Sequence, residues 1–330
     1  MTAHDFPTGS DDRRTGTPAT SGEADDQTRL RFPGGRLGPA DWTALARLAA
    51  EHSSDLRLVA RGAVHVRGVQ DLTRFSQHVE AFGLVARVAH PSAGTILASP
   101  LAGRLPGRTD LGELPERLAT ALAEYEGPAA LAGHIVFGFD DGSGDVLAHG
   151  PDLAAVARPG EGLARIHVSG RDTGLETPLA DTVSVLVDAA VSVVRSADRP
   201  ARVPASGEVH DLVVVTLSEH PLTTRADALR TDTTPADTTA TAVQAPPVGW
   251  VDTIDGLVTL LAVVPEGVVP ARLAEFLGAI ERPSTISADH VIGLHGLTEH
   301  MAEQVVRVLA PMGMVFDAAS PWVEAARRES

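Results

Sequence analysis

Apolar and polar positions alternate with two periods along the chain, and the same succession of periods occurs twice. Near the start, Leu30-Arg31-Phe32-Pro33-Gly34-Gly35 reads as a strand end and a turn. Trp42, Leu45, Leu48 and Ala49 then recur at helical spacing, which predicts an amphipathic helix over 39–50 with Pro39 suited to its first turn. Residues 56–60 and 64–69 alternate with the period of half-buried strands. A second helix is expected over 71–81, ending at Gly83 before Leu84-Val85.

The order returns later. Residues 257–264 read as a strand and Pro265-Glu266-Gly267 as a turn. Leu273, Phe276, Leu277 and Ile280 line a helix face, 290–294 is a strand, and 298–309 is a helix closing at Gly313-Met314-Val315. The two copies lie about 230 residues apart, with 64–69 opposite 291–297. Elements in this order predict an α+β fold with duplicated ferredoxin-like half-domains of βαββ type, whose antiparallel strands can join into one sheet. The halves would occupy 28–90 and 248–322 and flank an α/β domain at 91–220 that has no counterpart in the second copy. Thr, Ala, Asp and Pro without periodicity make 221–247 a linker. Residues 1–27 are polar and lack an apolar h-region, so a disordered tail and no signal peptide are expected there; 323–330 is expected to be a second tail.

Charge narrows the partners. Lys+Arg of 27 against Asp+Glu of 43 leaves a net charge of −16, which opposes non-specific binding to nucleic acid or an anionic membrane. No run of 18 uncharged apolar residues occurs, so no transmembrane helix is expected and the cytoplasm is the expected address. The 330 residues contain no cysteine. Disulfides, thiolate zinc sites, cysteine nucleophiles and cysteine-held iron–sulfur clusters are thereby excluded for these residues.

Metal and nucleophile motifs are equally sparse. Asp140-Asp141-Gly142-Ser143-Gly144-Asp145 has the acidic spacing of a calcium loop but lacks its glycine at the sixth and glutamate at the twelfth position. It is read instead as a hairpin turn with acidic tips in solvent. His290, His295 and His300 recur every five residues, which does not place them on one helical face, so no metal site is expected. No G-x-S-x-G, P-loop or G-x-G-x-x-G segment is present.

Several short segments, in order and over nearly the whole folded length, carry a family resemblance. They are Leu30-Arg31-Phe32-Pro33-Gly34-Gly35-Arg36-Leu37, Ala60-Arg61-Gly62-Ala63-Val64-His65-Val66-Arg67-Gly68, and Thr95-Ile96-Leu97-Ala98-Ser99-Pro100-Leu101-Ala102-Gly103. Gly170-Arg171-Asp172-Thr173-Gly174, Pro246-Pro247-Val248-Gly249-Trp250 and Ser320-Pro321-Trp322 follow. With these the chain resembles precorrin-3B synthases, of the siroheme-type nitrite/sulfite reductase superfamily. The resemblance implies a nitrite/sulfite reductase-like α/β domain between the half-domains, and an oxygen-dependent hydroxylation of precorrin-3A in aerobic cobalamin synthesis. It also implies a siroheme-like tetrapyrrole and a [4Fe–4S] cluster, whose cysteines in the family follow the Ser-Pro-Trp segment. Here Val323 to Ser330 follow it and supply none, so the activity is expected to be impaired or completed by a protein partner. The alternative is a non-catalytic paralogue that binds a tetrapyrrole or another protein.

The same resemblance nominates tetrapyrrole contacts. Arg61, Arg67 and Arg171 stand where the family pattern has arginine, His65 where it has glutamine, and His134 near a family Arg or Lys. Arg61, His65 and Arg67 differ by even numbers, so on one strand they share a face. The family's basic residues before the Ala-Ser-Pro segment are replaced by Pro91-Ser92-Ala93-Gly94, which would weaken the grip on carboxylates.

Overall fold

A computed structural model describes residues 28–85, 94–125, 135–197, 206–226 and 246–329. The expected N-terminal tail, His134, 91–93 and most of the predicted linker lie outside them. Three sheets and eight α-helices make up the described residues, a mixed α+β architecture. None of these helices is long and apolar enough to cross a membrane.

The first unit runs β1 (Arg29–Leu30), a 3-10 turn at Pro33–Gly35, β2 (Arg36–Leu37), α1 (Pro39–Glu51), β3 (Leu56–Val59), a 3-10 turn at Ala60–Gly62, β4 (Ala63–Val66) and α2 (Leu72–Ala81). Proline opens α1, the Asp41 carboxylate accepts from the Gly38 amide at 2.6 Å, and Trp42, Leu45 and Leu48 are fully buried on the inner face. Asp71 caps α2 by accepting from the Arg74 amide at 3.0 Å.

The middle of the chain forms β5 (Thr95–Ala98), α3 (Leu114–Glu124), β6 (Val136–Asp140), β7 (Leu153–Arg158), β8 (Leu163–Val168), β9 (Arg171–Pro178), α4 (Thr182–Ala197), α5 (Ser206–Ser218) and β10 (Thr224–Arg225). They build one six-stranded sheet in the order β10-β9-β8-β7-β6-β5, over a core that includes Phe137, Phe139, Ile166, Leu118 and Leu186. Strands β5, β6 and β7 run parallel and the rest antiparallel. The parallel pairing of β6 with β7 corrects the expected hairpin at 140–145. Two parallel neighbours need a connection that carries the chain back to the starting end, and the segment after Asp140 begins that return. The linker is corrected too, because Thr224 and Arg225 pair with Glu176 and Leu175 and extend the sheet.

The second unit comprises β11 (Gly249–Asp252), β12 (Val258–Val263), a 3-10 turn at Pro265–Gly267, β13 (Val268–Val269), α6 (Ala271–Ala279), β14 (Ser284–Ile286), β15 (Val291–Leu297) and α7 (Glu299–Leu309). Helix α8 (Pro321–Glu329) replaces the expected terminal tail. Its Val323 and Ala326 are buried in a cluster with Leu261, Val263 and Val291, which is reason enough for the segment to fold.

The strands of the two units do not join into one sheet. They form a four-stranded sheet, β1-β4-β3-β13, and a five-stranded sheet, β11-β12-β15-β14-β2. Each unit lends one short strand to the other: Leu37 and Arg36 of β2 pair with Ser284 and Thr285, while Val268 and Val269 of β13 pair with Arg57 and Leu56. The cause lies in the two proline turns, where Gly34 (φ 63°) and Glu266 (φ 55°) adopt the left-handed region and send the next two residues across. Beneath both sheets, α1 and α6 pack together. Gly278 lets them approach, since a Cβ there would lie 2.7 Å from Thr43 Oγ1. One continuous core holds Trp42, Leu45 and Leu48 with Leu273 and Leu277.

Candidate functional site

The three sheets meet along a seam where the turns at Pro33–Gly35 and Ala60–Gly62 pack against β5, and β2, which follows the first turn, pairs with β14. Ser99, just past β5, ties the seam to the loop after β6. Its hydroxyl donates to Asp145 Oδ1 at 2.5 Å and accepts from the Asp141 amide at 3.1 Å. Across the seam, His149 Nε2 meets Asp289 Oδ2 at 3.2 Å, and the Ile254 amide donates to the Arg104 carbonyl at 3.0 Å.

The 140–145 loop is a carboxylate cluster turned inward, which corrects the expectation of acidic tips in solvent. Asp140 is 0% exposed and Asp141 1% exposed. Asp140 accepts from the amides of Gly142 and Gly144 at 2.9 Å each and of Val146 at 3.0 Å, so its side chain organises the loop that contains it. Asp141 Oδ1 accepts from Arg108 Nη1 at 3.1 Å. Burial pushes the Asp145 carboxyl up to about 6; the bond from Ser99 opposes this, while Asp140 and Asp141 add to it. Oxygens of Asp140, Asp141 and Asp145 lie within 4.8 Å of one another, a donor set that suits a hard cation. The loop amides hold Asp140 and Arg108 holds Asp141 Oδ1, while Asp141 Oδ2 is buried without a hydrogen-bond partner among the described residues.

Among the described residues, two cavities open on the seam. The first, lined by Gly35, Arg61, Ala98, Asp145, His149 and Asp289 among others, has about 20 Å³ of space, enough for a single water. The second is ligand-sized at about 380 Å³, and its walls include Arg36, Arg104, Asp110, Ser99, Thr285 and His295. His295 is 1% exposed, with Nε2 at 2.9 Å from Thr285 Oγ1 and Nδ1 at 3.2 Å from Thr259 Oγ1. Burial, and then the charges of Arg104 and Arg36, hold its pKa well below the ordinary value, so the ring is neutral at neutral pH. Burial also lowers the Arg104 pKa; Asp255 opposes that shift and Arg36 adds to it.

The residues nominated from sequence are dispersed. Arg61 is exposed and borders the water-sized cleft. It does not share a strand with Arg67: the chain turns at Ala60–Gly62, Arg61 has φ 65°, and β4 begins only at Ala63. The even spacing therefore carries no common face. Arg67 is exposed beyond the end of β4. His65 is buried on β4 of the four-stranded sheet and bonded through Nε2 to Thr28 Oγ1 at 2.9 Å. Arg171 is exposed at the start of β9, three strands from β6 and opposite Val168, at the end of the sheet away from Asp140. His134 falls outside the described residues.

Arg36, Arg104 and His295 were not nominated. Arg36 and Arg104 lie in or beside quoted segments, Leu30 to Leu37 and Thr95 to Gly103, and that proximity was the available signal. His295 was set aside on helical spacing, whereas it sits in a strand, where spacing along the chain says nothing about its cross-strand neighbours.

No family model matches the chain, and no curated protein matches it. Its fold is similar to that of solved structures, among them the NirA protein of Mycobacterium tuberculosis, with 18% identity and a TM-score of 0.66 over 88% of this chain. That alignment covers 57% of NirA, so the chain spans a little more than half of its length. At such identity the likeness is one of fold.

Proposed function

We propose that the protein binds a carboxylate-rich tetrapyrrole of the siroheme or corrinoid-precursor class, as a relative of precorrin-3B synthase within the nitrite/sulfite reductase-like superfamily. The observation that carries this reading is the fold shared with NirA over 88% of the chain. Arginines on the seam support it, because guanidinium forks are the natural partners of carboxylate arms. The twice-used order of turn, strand, helix, strand, strand and helix, with its reciprocal strand loan, supports two ferredoxin-like half-domains arising by duplication. The intervening six-stranded sheet is the reductase-like domain in this reading, and the cytoplasm is the proposed address.

A [4Fe–4S] cluster does not fit the donors of this chain, which has no cysteine. Oxygen-dependent hydroxylation of precorrin-3A would therefore need thiolates from outside these 330 residues, such as a partner protein. The second reading is a non-catalytic paralogue that binds a tetrapyrrole or another protein, and it requires no thiolates.

Titration with siroheme, followed by absorbance, tests the proposal. Arg61 faces the seam, and a charge-assisted bond is worth about 1.5–3 kcal/mol. Arg61→Ala should therefore weaken binding about tenfold or more. Arg67→Ala and Arg171→Ala, which line neither seam cavity, should leave it unchanged in this reading. Absence of wild-type binding at high micromolar ligand, or indifference to Arg61→Ala, would reject the reading.

A further inference from the structure

We propose that the 380 Å³ cavity on the seam is an oxyanion site, in which the guanidiniums of Arg104 and Arg36 receive a carboxylate or an inorganic phosphate-type group. The cavity lies on the same seam, so this deepens the tetrapyrrole reading by naming an anion pocket within it, tested with a free anion apart from siroheme. Arg104 is partly buried, yet its guanidinium makes no hydrogen bond and no ion pair among the described residues. Asp255 and Asp110 act on it only through space, so a partly desolvated guanidinium keeps its donors open, and an anion entering the cavity can accept from them. The nearby acids do not fill the role. Asp110 Oδ1 is occupied by the Gly112 amide at 2.9 Å, and Asp255 is bound by Thr253 Oγ1 at 2.5 Å and the Leu257 amide at 3.1 Å.

Arg36 is held in place from behind. Its Nη1 donates to the Gly112 carbonyl and lies 3.5 Å from Glu116. The guanidinium is thus pre-oriented at the cavity wall, which lowers the entropy cost of binding. Burial first, and the charges of Arg104 and Arg36 after it, keep the His295 ring neutral, so the cationic groups of this wall are the two guanidiniums. Ser99 and Thr285 add hydroxyls on the same walls. Planar and tetrahedral oxyanions both match paired guanidinium donors, and 380 Å³ accommodates either with its waters.

Equilibrium dialysis of the full chain against radiolabelled inorganic phosphate at low ionic strength tests the site. Saturable uptake of one phosphate per chain is expected. Arg104→Gln should weaken it about tenfold or more, while Arg74→Gln, at an exposed ion pair on α2, should not. Addition of citrate separates the two sources of the group. Displacement assigns the site to carboxylates as well, and retention of phosphate restricts it to inorganic oxyanions; both outcomes uphold an oxyanion site. Should Arg104→Gln fail to fold, the assigned ring signals of His295 in the wild type provide the second readout, and they should shift with phosphate and saturate. Uptake that never saturates, uptake equal in Arg104→Gln, or a His295 signal unmoved at phosphate saturation would overturn the proposal. Because the probe is phosphate, these failures are distinct from a failure to bind siroheme.

Discussion

Asp145 carries the most perturbed carboxyl of the seam, and its protonation has a thermodynamic signature. Its folded pKa is raised to about 6 from 3.8, chiefly by burial. Between those values the unfolded chain has released the proton and the folded chain still holds it. Stability linked to Asp145 is therefore full below pH 3.8, falls as pH rises toward 6, and remains lost above. The whole effect amounts to about 3 kcal/mol at most. Asp145→Asn removes the charge and keeps an oxygen for Ser99, so urea unfolding should show the variant more stable than wild type at pH 8 and lacking this fall. Identical pH slopes in both proteins would contradict the assignment. His295 contributes with the opposite sign, because its lowered pKa makes stability drop as pH falls below 6.5, and comparison of the two proteins cancels that term. Little of this was legible in sequence. The Asp-Asp-Gly-Ser-Gly-Asp string looks like a solvated turn until the parallel pairing of β6 with β7 folds it inward. Arg61 and Arg67 look like strand neighbours until the left-handed residue at 61 breaks the alternation. Parity along a chain identifies a shared face only where the strand is unbroken.

At the level of elements, the crossing of β2 onto β14 depends on a close backbone approach at Gly35. A Cβ on Gly35 would lie 2.0 Å from the Ile286 carbonyl oxygen, whereas one on Gly68 would meet nothing within 4 Å. Both glycines have φ between 60° and 70°. Gly68→Ala should accordingly cost only the conformational strain, about 1 kcal/mol. Gly35→Ala should cost about 3 kcal/mol or more, since it must also displace a strand. Chemical denaturation of the two variants checks the contrast, and equal losses would mean that β2 does not lie against Ile286 as described. Elements themselves were the most legible part of the sequence. The predicted helix at 39–50 corresponds to Pro39–Glu51, that at 298–309 to Glu299–Leu309 with Thr298 as its cap, and the strand at 257–264 to Val258–Val263. Two-residue strands such as β2, β10 and β13 are too short to show a period, which is why the exchange between units and the true end of the six-stranded sheet were not foreseen.

For the molecule as a whole, the shared core makes the two flanking units one mechanical body despite the long stretch of chain between them. Leu277 is fully buried in a cluster that includes Leu48, Val64 and Leu294. Leu277→Ala should cost about 2–5 kcal/mol. Native-state hydrogen exchange should then lose protection in β4 as well as β15, although only β15 belongs to the unit that carries the substitution. Loss confined to β15 would restore two independent half-domains. The central claim, that the seam between the sheets is the ligand site, is tested most directly by hydrogen exchange with and without siroheme. The account predicts added protection at 34–37, 98–104, 140–149 and 284–289, with β8, β9 and the Arg171 turn unchanged. Protection centred on β8 and β9, with the seam unaffected, would contradict it.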